Sequence, residues 1–262
     1  KMTELPFKKR PFIIGMIHLK PLLGSPKYSG LNSVIELAIR DLKNLQEGGV
    51  DGVMVENFWD VPYFKDPSSN PETMASFARV ICEIKKNVSV PVGINLLRNG
   101  CIGALSLAEA FELDFIRVNV LNEAYITDQG IIEGCAPYLM RFRNYLGSKV
   151  AVLADVHVKH SYPMLQRPVE ESAVDAEERG MADAIIITGS RTGNPPSLEE
   201  VKAVKEKVKI PVLIGSGLTP DNAKVLLKHA DGAIVGTYFK EKGKIENPVD
   251  PERVKKLMEI IS

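Results

Sequence analysis

The sequence predicts an α/β protein, a single-domain (β/α)8 TIM barrel over residues 1–262. Three observations carry this. Eight short apolar runs alternate with eight amphipathic segments along the chain, the pattern of parallel strands joined by helical crossovers. The length of 262 residues suits closure into one barrel. A faint echo recurs every two β/α units. The second, fourth, sixth and eighth runs enter through "GVDGVMV", "ELDFIRV", "MADAIII" and "HADGAIV", each with an Asp just before the apolar stretch. The third and seventh enter through "VSVPVGI" and "VKIPVLI". Asp and Pro also suit short turns between helix and strand, whatever the ancestry of the units.

The elements follow in order. "FIIGMI" (12–17) is the first strand and 32–48 the first helix. "GVMVE" (52–56) runs into the loop "NFWDVPYFKDPSSNP" and a helix at 71–87. "PVGINLL" (91–97) precedes a helix at 101–112, and "DFIRVNV" (114–120) one at 134–146. The segment "YITDQG" (125–130) between them reads as a loop. "VAVLADV" (150–156) precedes a helix at 168–180. "AIIIT" (184–188) leads through "GSRTGNPPS" to the charge-rich helix 197–207, a solvated face laced by i,i+4 pairs. "PVLIGS" (211–216) precedes a helix at 219–229, with Thr219 or Asp221 as cap and Pro220 in its first turn. "GAIVG" (232–236) is the last strand, followed by a helix at 250–261.

Composition narrows the function classes. Hydrophobic residues make up 45% and charged residues 25%, enough for a full core. Lys+Arg and Asp+Glu balance at 33 each, which argues against a nucleic-acid binder. Cys82, Cys101 and Cys135 form no C-x-x-C pair, so neither a zinc knuckle nor a disulfide scaffold is expected. The opening apolar run is short for a signal peptide and no stretch is long enough to span a bilayer, which points to a cytoplasmic protein without membrane insertion.

Side chains alternate along strands. If the face carrying each run's terminal polar residue points inward, the mouth is ringed by His18, Glu56, Asn95, Arg117, Asn119, Asp155, His157 and Thr188. A one-residue bulge flips any strand. In "IGSGLTPDNA" (214–223), Gly215, Ser216 and Gly217 let backbone approach an anion. In "VGTYFK" (235–240), Gly236 and Thr237 open a short extra helix whose amides bind phosphate. Loops after the seventh and eighth strands are the usual barrel phosphate site. Arg191 in "TGSRTG" covers the same anion or belongs to a surface loop.

Together "GMIHLKPLLGSP" (15–26), "GVDGVMVENFWDVPY" (49–63), "IRVNV" (116–120), "TDQG" (127–130), "ADVHVKH" (154–160), "TGSRTG", "IGSG" (214–217) and "ADGAIVGT" (230–237) resemble the BtpA/SgcQ family over almost the whole chain. Lys20 and Leu23 stand where members often have prolines, and Gly100 where many carry Asp. The resemblance implies a ribulose-phosphate-binding-type barrel and no secure reaction. One branch is named for photosystem I biogenesis, another is labelled a nucleosidase.

The chemistry expected is that of an enzyme on a phosphorylated sugar or nucleoside-like substrate, of nucleosidase, hydrolase or lyase type. Glu56 and Asp155 supply carboxylates, and His157 or His18 protonates a leaving group. Arg117 holds an anionic group, Asn95 and Asn119 orient hydroxyls, and Lys159, counted as lying beyond the polar rim, partners phosphate or carboxylate. A Schiff base on Lys159 is a minor variant. No cofactor is expected. A divalent metal on Glu56, Asp155 and His157 is the secondary option, and a non-catalytic assembly factor the alternative. The partners expected are a small phosphorylated metabolite and further copies of the chain in a homo-oligomer.

Overall fold

The computed structural model describes residues 3–262. Eight parallel strands close into a barrel. In chain order the barrel strands and their helices begin with β1 (Phe12–His18), α1 (Leu31–Gly48), β2 (Gly52–Glu56), α2 (Pro71–Asn87), β3 (Val92–Asn95), α3 (Cys101–Ala110) and β4 (Phe115–Val118). There follow β5 (Ala124–Thr127), β6 (Gly130–Glu133), α4 (Ala136–Leu146), β7 (Ala151–Val156), β8 (Ser161–Pro163), α5 (Val169–Glu178) and β9 (Ala184–Ile187). The chain ends with α6 (Leu198–Lys207), β10 (Val212–Ile214), α7 (Pro220–Leu226), β11 (Gly232–Val235) and α8 (Pro251–Ile261). Around the barrel the order is β1-β11-β10-β9-β7-β4-β3-β2.

All eight strand–helix pairs read from periodicity are present. The difference is a three-stranded sheet, ordered β6-β5-β8, built from the loops after β4 and β7. Residues 125–130, read as loop, form most of its hairpin, which turns at Gly130 with φ +94°. Its strands are mostly exposed and lack the fully buried apolar runs of the barrel strands, and its small core of Val120, Tyr125, Ile132 and Val158 draws on two distant loops.

Burial explains the barrel. Ile14, Met16, Met54, Leu153, Ile186, Leu213 and Ile234 fill its interior, and Phe12, Phe115 and Phe7 plug its base. Phe7 stacks on Phe12 at 4.2 Å between ring centroids. Gly93 is required there, because a Cβ at that position would lie 2.0 Å from the Phe115 ring. The alternate strand residues face outward into a larger layer against the helices.

The echoed aspartates act at the base. Asp51, Asp114, Asp183 and Asp231 each accept a hydrogen bond of 2.8 Å from a backbone amide of the barrel strand before their own, at Ile13, Val92, Val152 and Val212. Each also donates its own amide to the carbonyl of that same residue. Asp231 additionally pairs with Arg10 at 2.7 Å and Lys205 at 2.5 Å. Burial opposes ionisation of Asp231, but Lys205, the Val212 amide and Arg10 outweigh it and hold its pKa below the ordinary 3.8. Its contribution to stability is therefore complete above the unfolded-state pKa and lost as pH falls through the lower folded value. Asp231→Asn is expected to cost about 1–3 kcal/mol at pH 7. It should also flatten the loss of stability below about pH 4, both read by urea titration across pH.

Candidate active site

Register fixes which polar groups meet. His18 pairs laterally with Glu56, Glu56 with Asn95 and Asn95 with Arg117. All four continue the inward faces of their strands, as does Asp155 beyond Leu153. They form one polar layer above the apolar filling.

Two pairings organise it. Asn95 Nδ2 donates to Glu56 Oε2 at 2.5 Å, and His18 Nε2 lies 3.9 Å from Glu56 Oε1. Arg117 grips Asp155 with two parallel bonds, Nε to Oδ2 at 2.7 Å and Nη2 to Oδ1 at 2.8 Å. Asn119 Nδ2 adds a third bond to Asp155 Oδ2 at 2.9 Å. Both side chains of the ion pair are almost fully buried. Burial works against the Arg117 charge, yet Asp155 raises its pKa above the ordinary value. Asp155 thus has its oxygens committed, and Glu56 is the carboxylate of this layer that borders the open space.

That space is a cleft of about 1200 Å³ whose lining includes Glu56, Asn95, Arg98, Arg117, Asn119 and Lys159. Thr188 and Arg191 line it further out, Arg191 from an exposed position. A second space of about 30 Å³ lies deeper, between His18, Glu56, Arg117 and Lys159 on one side and Gly215, Ser216, Gly217, Gly236 and Thr237 on the other. The same glycine turns border an outer cavity of about 170 Å³ with Thr219 and Arg253. At Gly217, φ is +72° and a Cβ would lie 2.1 Å from Pro195 N, so the loop after β9 rests directly on this turn.

Two expectations are revised. His157 lines the large cleft but stands outside the buried polar layer. Strand β7 ends at Val156, and His157 adopts φ +48°, so alternation stops one residue early. Its ring Nε2 is 3.1 Å from Ser172 Oγ, which donates to Glu123 at 2.8 Å. Burial lowers its pKa. His18, its side chain mostly buried and facing Lys240, Lys159 and Arg117, is held well below its ordinary pKa, chiefly by burial, and stays neutral. Neither imidazole is suited to protonate a leaving group near pH 7. Ser216 follows Ile214, which lies in the outer layer, and its hydroxyl is spent on the Gly189 amide and the Asn194 carbonyl.

Lys159 is the reverse case. Counted as lying beyond the rim, it turns back into the mouth and borders both inner spaces. Burial first, then the Arg117 charge, brings its pKa down to about 8. Thr188 Oγ1 accepts the Lys159 amide at 3.1 Å and holds this turn. As for a metal, the suggested ligands do not converge: Asp155 is taken by Arg117 and Asn119, and His157 by Ser172. Among the described residues no group of three or more His, Cys, Asp or Glu is placed to hold an ion.

Arg98, Tyr63 and two asparagines were not read from the sequence. Asn57 exchanges two hydrogen bonds with the Leu97 backbone, and Asn99 two with Val120, joining successive strand ends. Their signal was present in "EN" and "LLRNG", polar residues one or two places past apolar runs.

The BtpA family profile matches residues 8–262, and the chain belongs to this family. A Pyrococcus furiosus protein is 51% identical over 98% of this chain and 97% of its own length. The Synechocystis protein named photosystem I biogenesis protein BtpA is 42% identical over 95% of this chain and 88% of its own. Among solved structures, Thermoplasma volcanium GGGPS has a TM-score of 0.61 at 17% identity, covering 97% of this chain and 93% of that one. Pyrococcus furiosus thiamine phosphate pyrophosphorylase has 0.59 at 14%, covering 96% and 95%. These neighbours are TIM-barrel enzymes, and the likeness is one of fold. Among the described residues no helix is long and apolar enough to cross a membrane.

Breaking the Arg117–Asp155 pair from one side leaves a buried charge alone. Arg117→Met is expected to cost about 3–5 kcal/mol. The double variant Arg117→Met/Asp155→Leu should recover a large part of that loss, measured by urea unfolding.

Proposed function

We propose that this BtpA-family barrel is an enzyme that cleaves a small phosphorylated sugar or nucleoside-like substrate. One observation carries the reading: Glu56 and Lys159 border the same inner space as the two glycine turns. Phosphate is held by the backbone at Gly215–Gly217 and Gly236–Thr237, where amides and a short helical start favour anions. A phosphate seated in the inner space of about 30 Å³, rather than in the outer cavity of about 170 Å³ at the same turns, requires the 189–195 loop to move off them.

Glu56, oriented by Asn95, serves as the base that activates water or as the carboxylate facing a cationic transition state. Lys159 serves as the acid that gives its proton to the leaving group. Arg117 fixes an anionic or hydroxyl group of the substrate while Asp155 holds the guanidinium in place. Asn119, whose Oδ1 is buried without a partner, is free to accept a substrate hydroxyl. Thr188 supports the Lys159 turn and Arg191 approaches from the rim. The Synechocystis relative's name favours a second reading, a non-catalytic assembly factor.

The working acid is the ammonium form, present below its pKa, so turnover is expected to fall as pH rises through about 8. Lys159→Met should lose that alkaline limb, and Glu56→Gln should lower kcat about 10²–10⁴-fold while phosphate binding persists. A turnover screen over phosphorylated sugars and nucleosides checks this. Wild type and Glu56→Gln equally inert across the panel would favour the assembly factor.

A further inference from the structure

Across the mouth from the glycine turns stands a cation with no carboxylate in contact, the negative charges acting on it being those of Asp155, Asp128 and Glu56. Arg98 follows β3. In the ring of eight strands β3 lies four places from β10 in either direction, so Arg98 and the Gly215–Gly217 turn occupy opposite sides. Arg98 is only 5% exposed. Its Nε is buried without a hydrogen-bond partner, and its one side-chain bond runs from Nη2 to the Lys159 carbonyl at 2.9 Å. Among the described residues no carboxylate lies within 4.0 Å of it. It faces the large cleft and does not border the cavities at the glycine turns, whereas Glu56 and Lys159 border both spaces. A guanidinium keeps its charge when buried, and an unpaired buried charge is costly. A carboxylate or phosphate presented bidentately is the partner its geometry fits.

We infer that Arg98 forms a second anion subsite, so that the substrate is anionic at both ends, with a phosphate on the glycine turns and a carboxylate or second phosphate on Arg98. Glu56 and Lys159 then stand between the anchors. This rests on the phosphate reading above and narrows its substrate class.

Calorimetric titration of the full chain tests it with inorganic phosphate, ribose 5-phosphate, ribonate 5-phosphate and ribose 1,5-bisphosphate. Wild type is expected to bind at least one of the two double anions tenfold or more tighter than ribose 5-phosphate; which one wins separates carboxylate from phosphate. Arg98→Gln, which keeps a donor for the Lys159 carbonyl, should abolish the preference while leaving ribose 5-phosphate affinity unchanged. Arg98→Lys should retain part of it. No preference in wild type, or the same preference in Arg98→Gln, overturns the subsite. Equal weakening of all sugar phosphates in both variants marks Arg98 as merely structural and overturns it too. If inorganic phosphate and ribose 5-phosphate both fail to bind wild type, the phosphate reading of the glycine turns falls instead.

Discussion

Four two-point clamps at the base of the barrel set everything above them. Each of Asp51, Asp114, Asp183 and Asp231 both accepts from and donates to one residue of the preceding barrel strand. A parallel strand pair slipped by one residue would exchange its inward and outward faces. The clamps oppose that slip at β1/β2, β3/β4, β7/β9 and β10/β11. With register pinned, Ile14 and Met16 face the interior and His18 must follow them, and Met54 likewise brings Glu56 inward. The polar layer at the mouth is thus a consequence of hydrogen bonds made at the opposite end of the strands.

Within that layer the carboxylates divide by environment. Asp155 is surrounded by donors and spends its charge on Arg117 and Asn119. Glu56 has one close donor, Asn95, and an open side. A buried ion pair contributes little net stability once desolvation is counted. What Arg117–Asp155 supplies is geometry, because a guanidinium gripped at two points cannot rotate away from the cleft.

Periodicity made the architecture legible because a strand buried on both faces and a one-sided helix leave different patterns over three to eighteen residues. It also located His18, Glu56, Asn95, Arg117 and Asp155, since alternation carries through to the last residue of a strand. It failed one residue past the end of β7. His157 at φ +48° and the return of Lys159 are loop geometry, which alternation does not encode. Charge states were hidden for a different reason. The depressed pKa of His18 depends first on burial and then on cations from other segments, among them Lys240, Lys159 and Arg117, which only the closed barrel brings together.

Lys159 is held from both sides by contacts that do not involve its own amine. Its carbonyl accepts from Arg98 and its amide donates to Thr188. The next residue, His160, donates its amide to the Ser190 carbonyl, and its ring lies 2.8 Å from Thr192 Oγ1. From Thr188 the chain passes to Gly189, whose amide donates to Ser216 between the phosphate-turn glycines. A hydrogen-bonded path therefore crosses the mouth from the end of β3 to the end of β10, with Lys159 at its middle. An anion that displaces the 189–195 loop from Gly217 acts on this path, and so does one that draws Arg98 toward the cleft. The amine sits where the two displacements meet, so occupancy of either end bears on the position of the proposed acid through hydrogen bonds from Arg98, Thr188 and Ser216 side chains to backbone.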